Sequence, residues 1–185
     1  MPKPKLLLHS CCAACCIYVA ELLKKDYVVS LFFANQQIWP REEYQKRKEE
    51  TRRVANILDI EFIEYLEDKP YEEKSSEWFD LVKGLEKEKE GGKRCEVCFN
   101  NNIQKTAELA SKSNFDFFTT TLTVSPHKNS SQISIIGKNA EKKWNVKFLE
   151  QDFKKNNGFL MSSNKCREHN IYRQNYCGCL FSKNM

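Results

Sequence analysis

Leu6-Leu7-Leu8-His9-Ser10-Cys11-Cys12-Ala13-Ala14-Cys15-Cys16 joins an apolar triplet to a run of thiols, and an amphipathic segment, Ile17 to Lys25, follows it. The triplet reads as a strand, the cysteines as a sharp turn, and Ile17 to Lys25 as a helix. This unit puts four thiols at the carboxyl end of a first strand and the first turn of a helix. Open α/β sheets bind ligands at that edge. A helix start also offers unpaired backbone N–H groups and a partial positive charge, which favour thiolate over thiol. The stretch is expected to be a metal or redox centre.

The flanking sequence repeats the alternation. Tyr27 to Ala34 is a near-continuous apolar run, the mark of a strand covered on both faces. A charged helix follows at about Glu42 to Leu58, with Tyr44, Thr51, Val54, Ala55 and Leu58 at helical spacing. Glu61 to Tyr65 alternates as a third strand. Trp78, Phe79, Leu81 and Val82 give the next polar stretch one apolar helical face, and Glu86 to Glu90 reads as a solvated helix end. After Gly91-Gly92 a new helix opens, with Phe99, Ile103, Ala107 and Ala110 on one face. Phe115 to Leu122 is a fourth strand, Ile133, Ile136, Ala140 and Trp144 mark a helix, and Val146 to Leu149 is a fifth strand. This pattern predicts an α/β fold, a parallel sheet of about five strands with flanking helices and right-handed crossovers. Residues 1–185 are expected to form one domain, ending in an irregular basic segment from about 153 to 185.

A hydrophobic content of 41% supports a real core, and the formal charge of +5 permits an anionic partner such as RNA without requiring one. Nine cysteines are an odd and high count, which sits badly with a purely structural disulfide set. Lys3 and Lys5 before the apolar triplet mimic a signal peptide, but His9, Ser10 and Glu21 interrupt it, and too short an unbroken run precedes Cys11 for a lipoprotein signal. No run reaches membrane-spanning length. The expectation is a soluble cytoplasmic protein in a reducing compartment, where clustered thiols serve metals or redox chemistry.

Cys12 and Cys15 form a C-x-x-C, and Cys95 and Cys98 form a second at another predicted helix start. Residues three apart in a first turn share a face, so two such pairs supply the four ligands of a zinc site or an iron–sulfur cluster. A closed zinc staple is one reading. Against it, the pairs lie far apart in sequence, and the first carries surplus thiols that point to a second metal or a reactive centre. Cys177-Gly178-Cys179 closes only a very small disulfide ring, which reads as a redox-active dithiol or as a further ligand pair. Cys16 and Cys166 read as non-ligating. His9 lies beside the thiols and reads as structural or as a donor to a sulfur. His127 follows the fourth strand at the same edge, and His169 has no assigned role. Asp152 follows the fifth strand and reads as a metal ligand, a general acid or a turn residue.

Basic residues cluster twice. Arg41, Lys46, Arg47, Lys48, Arg52 and Arg53 line the second helix among glutamates and read as a solvated face. Lys154, Lys155, Lys165, Arg167, Arg173 and Lys183 lie near the end, interleaved with Phe159, Tyr172 and Tyr176. Aromatics among cations suit single-stranded RNA or a loop.

Taken in order over nearly the whole chain, several pieces resemble the cobalamin-independent epoxyqueuosine reductases of the QueH type. They are Leu8-His9-Ser10-Cys11-Cys12-Ala13-Ala14-Cys15, Glu42-Glu43-Tyr44, Gly91-Gly92-Lys93-Arg94-Cys95-Glu96-Val97-Cys98-Phe99, Thr119-Thr120-Thr121-Leu122-Thr123-Val124-Ser125-Pro126, Gln151-Asp152-Phe153 and Tyr172-Arg173-Gln174-Asn175-Tyr176-Cys177-Gly178-Cys179. The resemblance implies two-electron reduction of epoxyqueuosine to queuosine at the tRNA wobble position, the last step of queuosine formation. It implies a fold like the nucleotide-binding α-hydrolase-type (HUP-type) domains. By match, a [4Fe-4S] cluster falls to Cys11, Cys12, Cys95 and Cys98, whereas spacing alone pairs Cys12 with Cys15. Cys177 and Cys179 match the redox pair, which would end as a disulfide and be re-reduced by an external electron donor. A second, mononuclear iron would draw on Cys15 and Asp152. The tRNA anticodon loop would be held by the basic tail. Departures from the pattern are Ala14 for a proline, Asn35-Gln36-Gln37 for Asn-Pro-Asn, His127 for an aromatic and Lys154 for an arginine. Two other classes compete: a zinc-stapled, non-catalytic RNA-binding module and a metal-free thiol–disulfide oxidoreductase.

Overall fold

A computed structural model describes residues 2–183. Five parallel strands form one sheet in the order β3-β2-β1-β4-β5: β1 (Lys5–His9), β2 (Val28–Phe33), β3 (Glu61–Glu64), β4 (Phe117–Thr120) and β5 (Lys147–Phe148). The crossovers are helical: α1 (Ala13–Leu23), α2 (Arg41–Leu58), α3 (Tyr71–Leu81), α4 (Lys93–Lys112) and α5 (Ser130–Trp144).

β1 is central because both its faces are covered. Leu6 and Leu8 pack against α1 and the Val54-Ala55 side of α2, while Leu7 packs against Phe99, Ile103 and Ala107 of α4 and Ile133 of α5. All three leucines are fully buried, and burial of that kind stabilises by ~1.5–3 kcal/mol per side chain. β1 is also where strand order reverses, since β2 and β3 build outward on one side and β4 and β5 on the other. The carboxyl ends of β1 and β4 therefore border the crevice in which such sheets bind ligands.

Away from the β1–β4 crevice, Glu64 at the end of β3 ties the neighbouring helices together. It accepts from Lys74 at 2.6 Å and from the Tyr44 hydroxyl at 3.0 Å, with Lys48 at 3.3 Å. Burial pushes the Glu64 carboxyl up. The Lys74 hydrogen bond and charge, with Lys48 and Tyr44, outweigh that and hold it below the usual carboxylate value.

Three expectations change. The fourth strand is shorter than its apolar run, because Thr121–Val124 winds into a 3₁₀ turn with the Thr120 hydroxyl accepting from Leu122 N–H. Glu86 to Glu90 is not a helix end; α3 stops at Leu81, and buried Arg94 gathers the carbonyls of Leu85, Glu86 and Glu88. The tail is not irregular throughout, because it contains α6 (Gly158–Glu168) and the short α7 (Leu180–Lys183). Gly158 permits the start of α6: a β-carbon there would lie 1.7 Å from the Phe153 carbonyl oxygen. The buried residues of α6 are Gly158, Ser162 and Cys166, while Phe159, Leu160 and Met161 are exposed. That inversion hides the helix from an apolar-periodicity reading. Among the described residues no helix is long and apolar enough to cross a membrane.

Candidate active site

Cys12 is the extended N-cap residue of α1, and the backbone N–H groups of Cys15 and Cys16 return to its carbonyl. This winding stacks Cys15 one turn above Cys12. Cys11 precedes them in the turn, with its N–H donating to the Thr121 hydroxyl at 3.2 Å. The sulfurs of Cys11, Cys12 and Cys15 all lie within 4.8 Å of one another, with 3.8 Å between Cys11 and Cys12. At the start of α4, Gly91 N–H donates to the Cys95 sulfur at 3.2 Å, and the Asn102 amide lies 3.9 Å from the Cys98 sulfur.

Two cavities meet at this edge. The smaller, about 90 Å³, is lined by Cys11, Cys95, Cys98, Cys177 and Cys179 among others. Thiols from the beginning, middle and end of the chain thus face one space. Cys95 and Cys98 line it but stand outside the tight group of three. The larger cleft, about 610 Å³, is lined by Cys11, Cys15 and Cys177 and also by Phe159, Ser162 and Arg173.

The thiols titrate as a set. Hydrogen bonds from Cys12 and Cys15, then Lys128 and Thr121, outweigh burial and hold the Cys11 thiol well below its usual value. The Cys11 contact pushes Cys12 up to about 12, and contacts with Cys11 and Cys12 push Cys15 up strongly. Burial raises Cys95 and, more strongly, Cys98. Burial alone would lower the Lys128 ammonium, but Cys11, Cys15, Cys12 and Cys98 reverse that and hold it charged. His9 is fully buried, with Nδ1 2.9 Å from the Thr120 hydroxyl; burial lowers it to about 4, so it stays neutral.

The C-terminal dithiol is held by a strap. Ile38 and Cys179 form an isolated antiparallel bridge, and Trp39 N–H donates to the Gly178 carbonyl at 2.8 Å. Arg47 is 1% exposed; it donates to the Cys177 and Tyr176 carbonyls at 3.0 and 3.2 Å and pairs with Glu43 at 2.6 Å. Gly178 has φ +109°, and a β-carbon there would meet Arg47 and Ile38 at 3.0 Å.

The profile of the family described as epoxyqueuosine reductase QueH matches residues 6–185. The chain belongs to the QueH family. An epoxyqueuosine reductase QueH from Streptococcus pyogenes serotype M1 is 40% identical over 99% of this chain and 72% of its own length. One from Thermotoga maritima is 38% identical over 96% of this chain and 89% of its own length. Among solved structures, the U34-tRNA thiolase NcsA from Methanococcus maripaludis with its [4Fe-4S] cluster superposes with TM-score 0.57 at 12% identity, over 98% of this chain and 62% of that one. A predicted tRNA methyltransferase subunit from Methanocaldococcus jannaschii gives TM-score 0.55 at 14% identity, over 88% and 74%. These likenesses establish the HUP-type fold.

Within the QueH frame the donor chemistry fits a thiophilic metal. Soft sulfur ligands select zinc, copper(I) or iron–sulfur groups, and N–H or O–H donors already reach the sulfurs of Cys11, Cys95 and Cys98. Other expectations are corrected. The disulfide expected from Cys177 and Cys179 is not formed: all nine cysteines are free, and the Cys177 sulfur sits 2.8 Å from the Ser182 hydroxyl. Asp152 is not brought to Cys15. Its carboxylate accepts from Ser130 at 3.0 Å, lies 3.7 Å from Lys154, and lines neither cavity. Tyr172 and Tyr176 are strap anchors, with hydroxyls donating to Glu43 and the Trp39 carbonyl and rings under Lys46 and Arg47. Cys16 and Cys166 are buried in the core cluster beside α1, and Cys166 also lines the larger cleft. His127 is exposed and lines both cavities, while His169 lies 3.6 Å from Glu168. Sequence reasoning missed Arg47, taken for a solvated residue, and Lys128. The position of Lys128 directly after His127, in the loop following β4, was the available signal.

Proposed function

We propose that this chain, as a single reductase domain, reduces epoxyqueuosine in tRNA to queuosine using a [4Fe-4S] cluster held by Cys11, Cys12, Cys95 and Cys98. The observation that carries the reading is the convergence of thiols from three distant segments on one small cavity beside a nucleoside-sized cleft, in a chain of the QueH family. When bound, the cluster would supply single-electron transfer and Lewis-acid polarisation.

The protein's own groups have separable tasks. Cys177 and Cys179 are the two-electron store: two S–H bonds give way to one S–S bond, and an external donor later restores them. Arg47 and the Ile38–Trp39 edge hold that pair beside the cavity. The larger cleft accepts the modified nucleoside out of the anticodon loop, with exposed Phe159 available for stacking and Arg173 for phosphate. Cys15 is the sulfur left for a second iron; Asp152 would have to leave Ser130 to join it. Nine free thiols are consistent with a reducing compartment such as the cytoplasm, and support a reaction there.

Anaerobic purification with iron, zinc and sulfide analysis tests the cofactor, and Cys177→Ser tests the dithiol. The expected result is an iron- and sulfide-containing protein whose Cys177→Ser variant keeps its iron and loses turnover. Zinc without iron, or loss of the cluster in that variant, would overturn the assignment.

A further inference from the structure

We propose that Lys128 is a catalytic residue whose ammonium, placed where the thiol-lined cavity meets the larger cleft, contacts the epoxide oxygen of the substrate. The inference rests on the reductase reading above. Lys128 lines both cavities. Arg94 lines only the small one, and Arg47 and Arg173 only the large one, so among the described lysines and arginines Lys128 alone faces both. Arg47 and Arg94 also have their guanidinium groups committed to backbone carbonyls. The Lys128 backbone is fixed on both sides. Its N–H donates to the Ser125 carbonyl at 3.3 Å, its carbonyl accepts from Lys154 at 3.0 Å, and the next residue, Asn129, caps α5. A half-buried side chain on so constrained a backbone is aimed rather than free to wander.

The reaction gives this charge a task. Overall, epoxide and dithiol become alkene, disulfide and water. Both C–O bonds break and one C=C bond forms; the two electrons come from Cys177 and Cys179 as their S–S bond forms, and the two thiol protons end on the departing oxygen. Negative charge grows on that oxygen as the first C–O bond opens. Before the thiol protons reach it, a preplaced cation beside the cavity stabilises that charge. Lys128 thus acts on the oxygen, while the strap cysteines act on the electrons.

The test compares wild type, Lys128→Met and Lys128→Arg, all prepared anaerobically. Iron and sulfide content, kcat, KM and the affinities for tRNA bearing epoxyqueuosine and tRNA bearing queuosine are measured. Lys128→Met is expected to keep its metal and its affinity for the product tRNA, to lose its preference for the epoxide-bearing tRNA, and to fall about 10²–10³-fold in kcat. Lys128→Arg is expected to recover part of both losses. A kcat for Lys128→Met within about threefold of wild type overturns the proposal, as does an unchanged binding preference or loss of metal. A metal-loaded wild type inactive on epoxyqueuosine tRNA sinks the reductase reading itself, and the role of Lys128 falls with it.

Discussion

Cys11, Cys12 and Cys15 follow a strand buried from Leu6 to His9, whereas Cys177 and Cys179 stand on a strap that reaches the same site with little regular structure. The first wall is carried by Leu6, Leu7 and Leu8, packed on both faces of the sheet. The second depends on the buried guanidinium of Arg47, an isolated bridge to Ile38 and a glycine in the left-handed region. On the proposed function, ligand thiols gain from a rigid base, and a pair of thiols that changes its bonding each turnover gains from a segment that can shift without disturbing the sheet.

Cys11→Ser strikes the first wall and has the largest expected effect. Turnover and bound iron are lost, while the melting temperature of the metal-free protein stays close to that of metal-free wild type, because the leucine core is untouched. Iron and sulfide analysis with thermal melting checks this; retained iron would remove Cys11 from the ligand set. Arg47→Met strikes the second wall. It leaves Glu43 and two carbonyls without their cation, destabilising the fold by about 3 kcal/mol and displacing the dithiol enough to lower kcat about 10²-fold. Iron content is expected to remain at the wild-type level, and limited proteolysis between 172 and 179 to accelerate. Equal protease resistance in the two proteins would show that the strap does not hang on Arg47.

Glu64→Gln touches neither wall and has the smallest expected effect on turnover. It leaves Lys74 buried without a carboxylate, at a cost of about 3 kcal/mol in stability, with kcat unchanged. Because the folded-state carboxyl titrates below its ordinary value of 4.5, its contribution is fully present above that pH. It is lost as pH falls through the lower folded value. Urea midpoints for wild type and variant should therefore differ at neutral pH and converge on acidification. A constant gap across that range would mean that the Lys74–Glu64 pair is not what the substitution removed.

Much of this architecture is legible in the chain. The apolar run from Tyr27 to Ala34 announces a strand covered on both faces, the triplet at Leu6 announces another strand, and the alternation with amphipathic helices announces a parallel sheet. α6 was not legible, because its buried residues are Gly158, Ser162 and Cys166 and its large apolar residues face solvent. Arg47 was not legible either. Among basic neighbours at helical spacing it looks like any solvated arginine, and only the strap folded over it makes it a buried one.

The sequence by itself determined which thiols begin a helix and how strands alternate with helices, since local periodicity and the chain's own turns set those. Only the tertiary structure decided that Cys95, Cys98 and Cys177 share a cavity with Cys11, that Asp152 turns to Ser130, and that Lys128 lines that same cavity. Those outcomes depend on how crossovers stack segments distant in sequence. No local pattern encodes the distance between side chains that packing alone brings together.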